Sequence, residues 1–204
     1  MKGSAQSSHL AANVTLTRDD IVSGLSELVG YLHEAEVSAR VQLVGGAAIA
    51  LTINAERTAT RDVDAPITPA ADVLAAAEKV ALTRGWPTDW LNDKAAQFVP
   101  QGYGREPEWT IVHEDDLVTI EAASPETLLA MKLHATQRRR LREVEDLLAL
   151  LPACGITTVG GAEALYADFY PGDEFTESTA SIVSELLAAA PTAPPIPPPP
   201  TFER

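Results

Sequence analysis

The stretch LVGGAAIALTINAERTATRDVDAPI, residues 43–67, decides how the rest of the chain is read. Val41-Gln42-Leu43-Val44 is a short β-rich run that stops at Gly45-Gly46. Ala47 to Ile53 then predicts a short apolar helix, and Asp62 to Ile67 a second strand ending before Pro69. A strand, a glycine pair and a helix start form a natural phosphate cradle. Glycine lets the backbone come close, and the first helical turn offers unpaired N–H groups. Asp62 and Asp64 stand two apart on the second strand, so both carboxylates face one side. Such a pair repels itself unless a divalent cation lies between, and Mg²⁺ with nucleotide phosphates is the ordinary reason to build it. Asp is also depleted in strands, which argues against a bland solvated edge.

Working outward, Thr17 and Asp20 predict a capping box ahead of an amphipathic helix over roughly 18–36, with Ile21, Leu25, Leu28 and Leu32 on one stripe. Ala70 to Arg84 reads as a helix closed by Gly85. Residues 86–107 show no period. Glu108–His113 and Leu117–Ala122 predict a hairpin turning at Glu114-Asp115-Asp116. From Ser124-Pro125 to Leu151 the pattern is helical, and 161–169 and 177–190 give two more helices. The class is α/β (α+β): a small mixed-sheet core over 17–123, a helical region over 124–190, and a disordered Pro-rich tail over 191–204. Seven prolines between Pro191 and Pro200 predict an extended, polyproline-like segment outside the fold.

The 204 residues are 46% apolar and carry a net charge of −14. That composition supports a packed core and opposes non-specific coating of nucleic acid. The single Cys154 excludes an internal disulfide and a multi-cysteine zinc site, and is compatible with a reducing cytosol. The first residues lack a secretory apolar core, and no run is long enough to span a membrane. A cytoplasmic protein with no membrane and no DNA partner is expected.

Taken in order, the Gly-Gly turn, the helix and Asp62-Val63-Asp64 resemble the nucleotidyltransferase superfamily. Thr60-Arg61-Asp62-Val63-Asp64, the segment SPETLLAMKL at 124–133, and EDLLAL at 145–150 look closer to the minimal nucleotidyltransferase toxins of the AbiEii and MenT kind. The resemblance covers residues 41–151 and implies a small mixed-sheet nucleotidyltransferase fold. It implies Asp62 and Asp64 as catalytic metal ligands for Mg²⁺, and Gly45, Gly46 and Lys132 as nucleotide-binding residues. Lys132 would stabilise charge on the phosphates, and Asp146 would orient it or act as a base toward the acceptor. The reaction implied is transfer of a nucleoside monophosphate from a nucleoside triphosphate to the 3′ end of tRNA, blocking translation until an antitoxin protein intervenes. Glu121 is the available third carboxylate. The alternatives are a nucleotidyltransferase acting on a small molecule or a protein, and a non-catalytic nucleotide-binding module.

Simpler readings stand beside these. Lys132 can be a helix-face lysine with its stem along the core, and Asp146 an exposed partner of Arg142 one turn back. Arg138, Arg139, Arg140 and Arg142 are either a solvated charge group or a phosphate contact. An RNA acceptor would be favoured by Arg57, Arg61 and Arg105 joining that cluster on one face. His113 and His134 match no zinc spacing, Cys154 reads as a buried inert thiol, and Trp86, Trp90 and Trp109 read as core or groove walls.

Overall fold

The computed structural model describes residues 14–137 and 144–202. Arg138, Arg139, Arg140 and Arg142 lie outside the described residues. The fold is α/β. Helices α1 (Arg18–Glu34), α2 (Gly45–Thr52), α3 (Ala70–Arg84), α4 (Pro125–Thr136), α5 (Val144–Ala153), α6 (Val159–Phe169) and α7 (Glu177–Ala188) accompany six strands. These are β1 (Ala39–Leu43), β2 (Val63–Asp64), β3 (Ile67–Thr68), β4 (Leu91–Asn92), β5 (Trp109–Glu114) and β6 (Val118–Ala123).

The main sheet has the order β3-β1-β6-β5. Its central pair, β1 and β6, is parallel, with Ala39 opposite Val118 and Leu43 opposite Ala122. The outer pairs are antiparallel. Along β1, Ala39, Val41 and Leu43 are buried while Arg40 and Gln42 are not, as period-two alternation requires. The buried face joins α1, α2 and α4 in one core, where Leu25, Leu28, Ile49, Ile120 and Leu128 are fully enclosed.

Helix α2 is the pivot of the architecture. Ala47 through Leu51 are all buried, so this helix is apolar around its whole circumference and can only exist inside. It begins at the glycines themselves rather than at Ala47, because Gly45 adopts φ +62°, a left-handed turn that only glycine enters cheaply. The capping box at α1 forms as expected, with Thr17 and Asp20 exchanging hydrogen bonds.

Two expectations change. The strand read over 62–67 is two strands: Pro66 interrupts it, β3 pairs with β1, and β2 pairs in parallel with β4 in a separate two-stranded sheet. Residues 191–202, expected as a disordered tail outside the fold, instead lie along the body. The Ala55 amide donates to the Pro195 carbonyl at 2.9 Å, Arg18 donates to the Pro198 carbonyl, and the Phe202 ring packs 4.8 Å from His113. A polyproline segment leaves its carbonyls unpaired, and these accept from donors of the body.

Candidate functional site

The site forms where β1 ends and α2 begins. Val44 still holds strand geometry: its amide donates to the Asp64 carbonyl at 2.9 Å. That bond places β2 alongside the glycine turn. Val63 and Ala65 are buried, so the alternate side chains, Asp62 and Asp64, share the half-buried side. A methyl group built on Gly45 would lie 3.4 Å from Asp64 Oδ2, so the carboxylate is seated directly against the turn. Asn92, buried on β4, donates from Nδ2 to Asp62 Oδ2 at 3.4 Å. The aperiodic stretch 86–107 hid this contribution.

Burial pushes the Asp64 carboxyl up to about 6, and the neighbouring Asp62 charge adds to that rise. Lys132, Asn92 and Lys94 oppose it without cancelling it. Two hard carboxylates, one of them short of compensating positive charge, suit a divalent cation with oxygen preference. Among the described residues, no grouping of three His, Cys, Asp or Glu ligand atoms within 4.8 Å includes this pair. Glu121 is accordingly not a third ligand in this arrangement. It accepts from Gln42 Nε2 at 3.0 Å and lies 3.9 Å from Arg40 Nη1.

The second half of the site comes from the helical region. Lys132 Nζ lies 2.8 Å from Asp146 Oδ2, joining α4 to α5. Arg57, from the loop after α2, donates through Nε to Asp146 Oδ1 at 2.9 Å and through Nη1 to the Ala59 carbonyl. Asp146 is only 4% exposed, so the reading of Asp146 as an exposed helix residue is overturned, while the Arg142 of that reading lies outside the described residues. Burial would raise the Asp146 carboxyl, but Lys132 and Arg57 more than offset this and hold it below the usual carboxylate range. Both Asp146 oxygens are engaged, one by Arg57 and one by Lys132.

Gly46 explains why Arg57 reaches inward. A methyl group there would sit 2.6 Å from Arg57 Nη2 and 2.8 Å from Thr60 Oγ1. The second glycine makes room for a guanidinium, a role sequence reasoning missed. Arg57 consequently joins no outer basic face, and Arg105 is held by Glu108 at 2.6 Å over the Phe169 ring. The structure thus brings Gly45, Gly46, Asp62, Asp64, Lys132 and Asp146 into one electrostatically linked locality and adds Arg57 and Asn92.

The remaining candidates lie away from this site. Trp90 is fully buried and donates from Nε1 to the Ala77 carbonyl at 2.8 Å, with Trp86 edge-on at 5.3 Å. Trp109 lines an open hollow on the uncovered sheet face with Arg40, Gln42 and Arg105. His134 lies 3.1 Å from the Tyr166 hydroxyl and stacks on Tyr170. Burial pushes the Cys154 thiol up to about 12, away from the thiolate form. A separate group of possible metal ligands, His33, Asp115 and Asp116, brings its donor atoms within 4.8 Å of one another. No described helix is long and apolar enough to cross a membrane.

Comparison of the chain with family models, with curated proteins and with solved structures finds no match.

Proposed function

We propose that this protein is a metal-dependent nucleotidyltransferase that moves a nucleoside monophosphate from a nucleoside triphosphate to an acceptor hydroxyl. The observation that carries the reading is the seating of Asp64 against the Gly45 turn, beside Asp62 and within the field of Lys132. Mg²⁺ held by Asp62 and Asp64 would supply charge neutralisation at the triphosphate.

The chain's own residues account for the rest. The glycine turn leaves amide N–H groups at the start of α2 free of side-chain caps, and these can donate to phosphate oxygens. The Arg57–Asp146–Lys132 cluster carries two positive charges and one negative, a net of +1. Lys132 of that cluster acts electrostatically on Asp64, and a positive surplus beside the carboxylate pair favours an anionic ligand there. Asp146 fixes the Lys132 ammonium, so little side-chain entropy remains to be lost when it meets a phosphate oxygen. In the transfer itself, the acceptor oxygen bonds to the α-phosphorus, the bond to pyrophosphate breaks, and the hydroxyl proton passes to solvent.

The 3′ end of tRNA as acceptor, a toxin role blocking translation and an antitoxin partner in the cytoplasm follow from the resemblance of residues 41–151 and belong to the same proposal. A small-molecule or protein acceptor is the second reading, favoured by the net charge of −14 and by the inward turn of Arg57.

The test is a transfer assay with Mg²⁺, each labelled triphosphate and total bacterial tRNA, run beside Asp64→Ala. Label in tRNA that disappears in the variant supports the reading. Triphosphate binding without tRNA labelling moves the acceptor to a small molecule or protein. Absence of both binding and transfer overturns the enzyme assignment.

A further inference from the structure

A second cluster lies at the opposite end of β1 from the glycine turn. The register pairs Ala39, the first residue of β1, with Val118 just after the β5–β6 turn. The end of α1 also arrives there, carrying His33 in its last turn. His33 Nε2 lies 2.9 Å from Asp115 Oδ2, and His113 Nε2 lies 3.0 Å from that same oxygen. The Asp116 carboxylate comes within 4.8 Å of His33 and Asp115.

Helix α1 and strand β5 thus aim two imidazole nitrogens at one carboxylate oxygen of the β5–β6 turn. We propose that His33, His113 and Asp115, completed by the exposed Asp116, form a binding site for a transition-metal dication of the Zn²⁺ class. Ligand atoms at about 2.0–2.2 Å from such an ion stand roughly 3 Å or slightly more from one another; each imidazole nitrogen stands at that spacing from Asp115 Oδ2, and the His33, Asp115 and Asp116 donors lie within 4.8 Å of one another. The other Asp115 oxygen is already committed. Oδ1 accepts from the Leu117 amide at 3.0 Å and the Val118 amide at 2.9 Å, which fixes the carboxylate plane and leaves Oδ2 toward the imidazoles. Nitrogen donors select against Mg²⁺, so this site and the Asp62–Asp64 pair differ in the ion they prefer. Its proposed role is a clasp joining α1 to the hairpin, with the Phe202 ring closing over His113.

The experiment uses the chelator-stripped full chain, with Zn²⁺ binding measured by titration calorimetry and Co²⁺ as a spectroscopic probe. One equivalent should bind with visible Co²⁺ bands typical of nitrogen and oxygen ligation, unaffected by excess Mg²⁺. His33→Asn with His113→Asn should weaken binding by at least about 10-fold, the effect typical of disturbing a metal site, while His134→Asn and Asp64→Ala keep it. Should the double variant fail to fold, Asp116→Ala, at an exposed position, gives the second reading and should also weaken binding. Absence of Co²⁺ bands, or Zn²⁺ affinity unchanged in the His33, His113 and Asp116 variants, overturns the site and leaves a hydrogen-bonded cluster only.

Discussion

Arg57 Nε donates to Asp146 Oδ1 at 2.9 Å across 89 residues of sequence, and Lys132 Nζ reaches the other oxygen of the same carboxylate at 2.8 Å. One buried anion therefore holds two cations, one from the α2–β2 loop and one from α4. The contact binds α4 and α5 to the α2–β2 loop, at the point where the proposed chemistry takes place.

Asp146→Asn leaves Arg57 and Lys132 adjacent without their counter-charge. Removing one partner of a buried pair costs about 3–5 kcal/mol. Urea unfolding at neutral pH should show that loss, and an unchanged midpoint would mean that solvent already supports both cations.

The Asp64 carboxyl titrates at about 6 in the fold against 3.8 in the unfolded chain, so the native state binds its proton more tightly. Stability from this group is fully present below about pH 4 and is lost as pH rises through 6. Asp64→Asn removes the dependence. The variant should exceed the native protein in stability at pH 7.5, by on the order of 1–2 kcal/mol once partial exposure is discounted, with the gap roughly halved at pH 5 and closed only below about pH 4. Added Mg²⁺ should also close it at pH 7.5. A pH-independent gap in paired urea titrations would refute this account of Asp64.

Gly46→Ala forces Arg57 aside, since the new methyl would stand 2.6 Å from Nη2. A loss of about 1–3 kcal/mol is expected from overpacking, with transfer activity falling in parallel. The decisive comparison is a double-mutant cycle: Gly46→Ala should cost clearly less when Arg57 is already Ala. Additive losses would show that the glycine and the guanidinium do not compete for space.

Phe202→Ala removes the ring packed on His113. The partly buried side chain contributes roughly 1 kcal/mol, so the melting temperature should fall by about 2–4 °C for a chain of this size. No change in a thermal melt would indicate that the segment adds nothing to stability.

Local signals were legible in the sequence wherever the physics is local. The capping box at Thr17 and Asp20, the close of α3 at Gly85 and the Ser124 cap with Pro125 at the start of α4 depend on residues within a few positions of one another. The pairing of Asp62 with Asp64 on one face followed from strand periodicity alone. Pro66 was visible, but its effect was not: whether a proline ends a strand or moves the chain to another sheet depends on which edge is available nearby.

The sequence by itself determined the order of elements, the glycine turn and the identity of the charged residues. Only the tertiary structure decided which charges meet. Arg57 reads as one more surface arginine and Asp146 as a helix-face carboxylate until packing buries Asp146 and half-buries Arg57, because desolvation makes an unpaired charge intolerable and selects the partners. Asn92, His33 and Asp115 likewise gain their roles from strand pairings and helix ends separated by tens of residues. Periodicity reports which face of an element is buried; it carries no information about what lies across the core.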